Sequence, residues 1–401
     1  MEMKKYKLGD VADINKQTIS KKDSMDIIEY LDTGSLTENI FGPKQVLSRE
    51  DAPSRAQRRV FDKTILYSTV RPRLKHYGFL ESPKENTIVS TGFATIDVKD
   101  EFKNVIDARY LYLLLIQDKV TEYLGTIADT AVSAYPSLNP SDIQSLEFEF
   151  PDISIQKKVA STLSSLDQRI ENLRVQNRVL EQTAKTIYDY TFLQCAGHQT
   201  TYNKTLNRNI PVGWEVDNLY RIADFTNGLA CQKFRPTSEK EKLPVIKIRE
   251  MHEGITVDTE FVKSNIPEKV IVNPGELLFS WSASLEVLIW NGAKGGLNQH
   301  IFKVTPKEYF SLYYVYFQLK DYIVNFKRMA DARKTTMGHI TTDHLNQSRI
   351  AIPDEESMKK FSMQVSPLFK KQLVNSQQIE ALTNQRNTLL PLLMTGQVAV
   401  L

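Results

Sequence analysis

Two stretches of the chain alternate apolar and polar positions at spacings of four and three. The first carries Val159, Leu163, Leu166, Ile170, Leu173, Asn177, Leu180, Ala184 and Ile187. An unbroken seam over four heptads predicts a long helix whose apolar stripe is covered by one partner helix. The second stretch has Phe361, Val365, Leu368, Gln372, Asn375, Ile379, Leu382, Arg386 and Leu389 at the equivalent positions, so polar residues interrupt it more often. The offset between the two is constant: Gln156 to Phe192 lines up without a gap on Met358 to Met394. The most economical partner for each helix is therefore the other copy. The competing arrangement is an amphipathic helix lying on its own domain, and the strict heptad spacing weighs against it. About 36 residues at ~1.5 Å each give a rod of roughly 50 to 55 Å. Thr395-Gly396 supplies a glycine stop.

The duplication extends upstream. Phe148 and Phe150 before Pro151 match Ile350 and Ile352 before Pro353, so a short alternating strand ending in proline introduces each helix. LGDVADI (8–14) echoes LYRIADF (219–225), and ILYS (65–68) echoes LLFS (277–280), in the same order. A repeat of about 200 residues is a duplicated domain plus helix, since solenoid periods run ~20–50 residues. Between the helices the pattern predicts mixed α/β units. The first has strands at 64–68, 87–90 and 94–98 and a helix over 107–116; the second has strands at 246–248, 276–280 and 300–304 and a helix over 310–326. Residues 193–213, rich in Asn, Thr, Gly and Pro, read as a linker. The predicted fold is α+β: domains over 1–152 and 193–353, and long helices over 153–192 and 354–396 that form an antiparallel coiled coil.

A chain of 401 residues exceeds one ordinary core. Its net charge of +3 neither demands nor excludes an anionic partner. Two cysteines, Cys195 and Cys231, give no disulfide framework and no metal-ligand spacing, which fits a reducing cytosol, and neither a signal peptide nor an apolar span is expected. We find no phosphate loop, methyltransferase tetrapeptide, glycine-rich cofactor loop or paired CxxC. AsnProGlyGlu (273–276) lacks the second proline and the aromatic of the methyltransferase motif and reads as a turn. No catalytic or metal-ligating residue is predicted.

The basic residues do cluster. Arg55, Arg58, Arg59, Lys63, Arg71, Arg73 and Lys75 fall in one short region, and Lys327, Arg328, Arg333 and Lys334 precede Thr335, Thr336 and His339. Such runs are commonly solvated faces. Here they coincide with loops that also carry hydroxyls and aromatics, a composition suited to phosphate and base-edge contacts.

Given twice, the order of a strand, proline, a Gln-Lys-Lys start and a heptad helix, together with LLPLLMTGQ (389–397), closely resembles the specificity subunit of type I restriction-modification systems, the HsdS family. STGFA (90–94), YLYLLL (110–115) and PVGWEV (211–216) also resemble it. The second copy departs at its helix start, where Met358 stands at the position of Gln156. The resemblance implies two target recognition domains on antiparallel helices, related by a pseudo-twofold axis, each reading half of a bipartite double-stranded DNA sequence. It implies cytoplasmic partners: two modification subunits using S-adenosylmethionine, docked on the exposed helix faces, and a restriction subunit using ATP and Mg, with no cofactor bound by this chain. By position in the resemblance, the DNA-contacting candidates in the first domain are Ser68, Arg71, Arg73, Lys75 and Tyr77 in one loop, and Ser133 and Tyr135 in another. In the second domain they are Ser282 and Ser284, and then Arg333, Lys334, Thr335, Thr336 and His339. The rival readings are a coiled-coil scaffold that does not bind DNA and an enzyme of another type acting on an anion.

Overall fold

In the computed structural model, residues 3–20, 23, 25–130, 136–238, 240–256, 258–282, 284–332 and 340–398 are described. The chain divides into two units, Met1–Arg169 with Thr383–Leu401, and Ile170–Leu382. Each unit therefore takes in part of both long helices.

The first unit contains two four-stranded sheets. One has the order Gln45–Ser48, Ile27–Leu31, Thr87–Ser90, Ala56–Arg59, with only the Ile27–Leu31 and Thr87–Ser90 pair parallel. The other, fully antiparallel, has the order Ala12–Ile14, Phe93–Val98, Ile65–Ser68, Tyr77–Phe79. Ile65–Ser68 and Phe93–Val98 are buried at every position, which explains why they read as runs of β-forming residues rather than as alternations. Lys4–Lys7 pairs with Glu147–Phe150, where Glu147 and Glu149 face solvent and Phe148 and Phe150 face the core. A helix over Ala108–Leu115 covers the core, its first turn held by the Asp107 carboxylate accepting from Tyr110 N at 2.9 Å.

The second unit repeats this plan strand for strand. Phe261–Lys263, Lys242–Ile246, Gly295–Leu297 and Ile271–Val272 form the sheet with one parallel pair. Ala223–Asn227, Ile301–Pro306, Leu277–Ser280 and Glu286–Ile289 form the antiparallel one. Glu215–Asp217 pairs with Ile350–Ile352. The short echoes in the sequence thus mark equivalent elements.

Three expectations need correction. The strand predicted at 246–248 ends at Ile246, and Ile248–Glu253 is helical because the Glu250 carboxylate accepts from Lys247 N and caps the turn. The helix predicted over 310–326 is Leu312–Ala332. The supposed linker contains a hairpin, Thr200–Asn203 with Arg208–Pro211. In it Asn207 takes a left-handed conformation, and the Asn203 side chain accepts from Thr205 N and Leu206 N. Polar turn chemistry here closes a β-ribbon.

The long helices are Ile153–Tyr188 and Glu355–Met394. Gly396, at φ +70°, donates its N–H to Leu393 O at the end of the second. Their pairing is antiparallel and is set by the polar residues that interrupt the seam. In the first unit Arg386 Nε donates to Asp167 Oδ1 at 2.8 Å. In the second, Asn375 Nδ2 donates to Asn177 Oδ1 at 3.0 Å, and Asn177 Nδ2 donates to Ser376 Oγ at 3.2 Å. A polar pair at one seam position penalises every other register, because a slip buries these groups against apolar neighbours. The competing arrangement is realised as well. Toward their ends the helices pack onto the domains, with Val159, Leu163, Leu390 and Leu393 in the first core and Ala184, Phe361, Val365 and Phe369 in the second.

The unequal helix starts have a physical reason. Gln156 is buried and ties three backbone groups together: its Oε1 accepts from Asp107 N, and its Nε2 donates to Val105 O and Pro151 O. Met358 instead packs in the second core. There the anchoring passes to Trp214, whose Nε1 donates to Asp354 Oδ2 at 2.9 Å, and to the hydroxyls of Tyr309 and Tyr314, which donate to Pro353 O and Ala351 O.

Candidate nucleic-acid interface

One backbone arrangement recurs at the end of the central strand of each antiparallel sheet. After Ile65–Ser68, Thr69 N donates to Gly92 O at 2.9 Å and Thr69 O accepts from Leu138 N at 2.8 Å. After Leu277–Ser280, Trp281 N donates to His300 O at 3.2 Å and Trp281 O accepts from Ile340 N at 2.9 Å. The residue following the strand is thus held between the turn that precedes the neighbouring strand and the residue that follows the second candidate loop. In the first unit this is reinforced by Arg71 N donating to Pro136 O at 3.0 Å and by a bridge between Val70 and Ser137. Leu138 and Ile340, which stand at matching places in the two units, are therefore each bonded to the residue that follows the strand. Ser133, Tyr135, Arg333, Lys334, Thr335, Thr336 and His339 themselves lie outside the described residues.

The remaining candidates separate by burial and pairing. Tyr77 is 5% exposed and its ring stacks on Tyr67 in the core, so it is not available to a DNA backbone. Ser68 is buried, with its hydroxyl donated to Val70 O. Ser282 is buried as well, and Ser284 is exposed with its carbonyl accepting from Ser280 Oγ. Ser68, Tyr77 and Ser282 are thus buried, and the strand end passes into the core within one or two residues of the loop. Arg73 donates to Glu122 at 2.9 Å and to Asp129 at 2.6 Å, and these two carboxylates hold its guanidinium charged more firmly than usual. It lies over Gly125, where any Cβ would strike it. Lys75 lies 3.0 Å from Asp118 and 3.5 Å from Glu38; burial alone would lower its pKa, but the carboxylates outweigh burial and raise it. Arg71 is exposed and in the left-handed region at φ +47°. Arg73 and Lys75 are therefore ion-paired within the domain.

The structure adds Thr91, Gln299 and Trp281 to the residues at these strand ends, and it places one member of the basic cluster, Arg55, beside them. Thr91 N donates to Arg55 O at 2.8 Å, which puts the exposed Arg55 beside the Thr91–Gly92 turn. In the second unit the corresponding turn is closed by Ile301 N donating to Asn298 O at 3.1 Å, with Gln299 and His300 at its centre. Trp281 Nε1 donates to Asn227 Oδ1 at 3.1 Å beside it. The available signal was a polar Asn-Gln-His interruption between two apolar runs, visible in GGLNQHIFKV (295–304).

The profile described as type I restriction modification DNA specificity domain matches residues 1–182 and again 211–384. The chain belongs to that family. The type I restriction enzyme HindI specificity subunit of Haemophilus influenzae is 23% identical over 99% of this chain and 100% of its own length. The type I restriction enzyme MjaIX specificity subunit of Methanocaldococcus jannaschii is 26% identical over 88% of this chain and 81% of its own. Among solved structures, the S subunit of a type I restriction-modification system from M. genitalium shares the fold, with a TM-score of 0.55 at 15% identity over 98% of this chain and 96% of that one. A specificity subunit is the non-catalytic, DNA-recognising member of its complex, which implies DNA and other subunits of the system as partners. Among the described residues no helix is long and apolar enough to cross a membrane, and no group of three or more His, Cys, Asp or Glu is arranged to hold a metal ion.

Proposed function

We propose that each repeat reads one half of a bipartite, asymmetric double-stranded DNA target, and that the paired helices set the unread gap between the halves. In this reading two modification subunits carrying S-adenosylmethionine methylate adenine at the target, and a restriction subunit using ATP and Mg acts from the same recognition event. The observation that carries the reading is the repeated strand-end clamp, the same main-chain bonds at Thr69 and at Trp281, while the side chains at the clamp differ. Arg55 and Arg71 supply exposed cations in the first repeat, suited to phosphate oxygens or to guanine O6 and N7. Arg333 and Lys334 remain candidates for the second. Exposed Val175, Val179, Met363 and Val374 on the long helices support docking of the modification subunits there.

The test is a genome-wide adenine methylation map of cells carrying this chain with its modification subunit, set against cells lacking it. The expected result is one split motif, two short half-sites with a fixed gap. An assembled complex that yields no new motif would leave the scaffold reading in its place.

A further inference from the structure

Resting on that reading, we propose that Gln299 is a base-reading residue of the second repeat, recognising an adenine by its major-groove edge, and that His300 and Trp281 position it. Gln299 occupies the centre of the 298–301 turn, at the strand end where Ile340 N donates to Trp281 O. The turn is fixed from several sides. Asn298 N donates to Ile246 O at 3.0 Å, and His300 O accepts from Trp281 N. Gly228 is pressed so close that a Cβ there would lie 2.1 Å from Asn298 O. A base reader needs such a support, because a side chain free to wander loses the entropy of ordering when it binds.

The side-chain chemistry singles out Gln299. Its Nε2 lies 3.3 Å from His300 Nε2. When the amide donates there, the imidazole proton sits on Nδ1. Gln299 then keeps one N–H donor and its carbonyl acceptor, the pair that meets adenine N7 and N6. The imidazole packs against Trp281, with ring centroids 5.5 Å apart, and the indole is in turn oriented by its hydrogen bond to Asn227. His300 Nδ1 is buried without a hydrogen-bond partner among the described residues. A buried polar atom left unpaired is costly, and its retention fits a ring kept for aiming a neighbour.

The first repeat offers a contrast on the same backbone. The positions matching Trp281, Asn298, Gln299 and His300 are Thr69, Ser90, Thr91 and Gly92, as the pairings of Ser68 with Phe93 and Ser280 with Ile301 establish. There the Thr69 hydroxyl donates to Gly92 O and the Ser90 hydroxyl accepts from Gly92 N. Both hydroxyls are spent on the backbone. The position of Gln299 is held there by Thr91, so this turn of the first repeat carries no side-chain amide at that place.

The experiment is the adenine methylation map, together with binding of the assembled complex to its cognate duplex, for Gln299→Ala, Gln299→Glu and His300→Ala. Gln299→Ala should leave one half-site and the gap unchanged, relax a single A·T position in the other half-site, and weaken cognate binding about 5- to 150-fold. His300→Ala should relax the same position to a smaller extent, a selective effect that general loosening of the fold would not give. Gln299→Glu keeps the shape but replaces the donor, and should lose that adenine too. If wild type yields a split motif and Gln299→Ala yields the identical motif and affinity, the inference is overturned while the reading above stands. Relaxation at a G·C pair would overturn the adenine assignment. A wild-type complex with no split motif removes both.

Discussion

Arg386→Ala tests whether the helix seam is held by its polar pairs. The guanidinium lies 2.8 Å from Asp167 Oδ1, and the two side chains are 19% and 24% exposed. Burial alone would lower the Arg386 pKa, but the Asp167 carboxylate outweighs burial and keeps the cation more firmly charged than usual. The pair sits between two limits. Exposed ion pairs couple by ~0.2–1 kcal/mol, whereas removing one member of a fully buried pair costs ~3–5 kcal/mol because the other is stranded. A quarter of its surface in water lets Asp167 recover some solvation, so Arg386→Ala should cost ~2–3 kcal/mol, including lost packing of the arginine stem. At ~2–4 °C per kcal/mol for a unit of this size, the melting temperature of the first unit should fall by roughly 4 to 12 °C. The assay is calorimetric melting of the chain in its complex, for Arg386→Ala, Asp167→Ala and the double substitution. Replacing both by leucine should restore most of the loss, since no charge is then left buried. Arg386→Ala melting within about 1 °C of wild type would refute the reasoning. So would single effects that add to within ~0.5 kcal/mol, because the groups would then not be coupled.

Four further outcomes follow from other contacts. Asn177→Leu should destabilise the second unit by ~1–3 kcal/mol, because Asn375, fully buried, donates to Asn177 Oδ1; a denaturant melt reads this, and no change would remove the seam pair as a register lock. Tyr112→Phe should be neutral or stabilising by up to ~1 kcal/mol, since its buried hydroxyl has no partner among the described residues; a clear loss in the same melt would show that the hydroxyl is satisfied. Burial pushes the Asp97 carboxyl above its ordinary value, against the opposing hydrogen bond from Thr64. Its neutral form is therefore favoured in the fold, stability from this group is present below the unfolded pKa of ~3.9 and is lost as pH rises through the raised value, and Asp97→Asn should gain on wild type over that rise in melts from pH 4 to 8. Arg55→Ala should either relax one guanine in the first half-site, at ~1–3 kcal/mol, or weaken binding to all sequences and lower the salt slope by about one; an unchanged motif, affinity and slope would remove Arg55 from the interface.

The fold was largely legible because its strongest signals are periodic. Heptads at 159–187 and a constant offset to the second copy required long helices, and strands buried on both faces appear as apolar runs whatever packs on them. Register was not legible from the apolar pattern, because leucine fits leucine at any slip of a heptad; it needed the partners of Asn177 and Asp167. The site was legible only as loops. Nothing in the local sequence distinguishes Tyr77, which turns inward to stack on Tyr67, from a surface aromatic, nor tells that Arg73 would meet Glu122 and Asp129 about 50 residues further along. Gln299 was missed, and His300 was read as a structural strand residue, because a short polar break between strands has the composition of any turn.

On the proposed function, the clamp lets two repeats keep one fold while reading different bases. Its shared bonds at Thr69 and Trp281 run between main-chain groups, so they form whichever side chains the strand end displays, and the Thr69 and Ser90 hydroxyls add to them only in the first repeat. A threonine or a tryptophan, a glycine or a histidine, can then stand at matching places on the same sheet. Substitutions at half-buried turn positions such as Thr91 and Gln299 should therefore shift stability by no more than ~1 kcal/mol while altering the sequence preference of one half-site. Tip substitutions that lowered the melting temperature in proportion to their effect on specificity would contradict this separation. They would mean that the side chains, and not the main-chain clamp, hold the strand end in place.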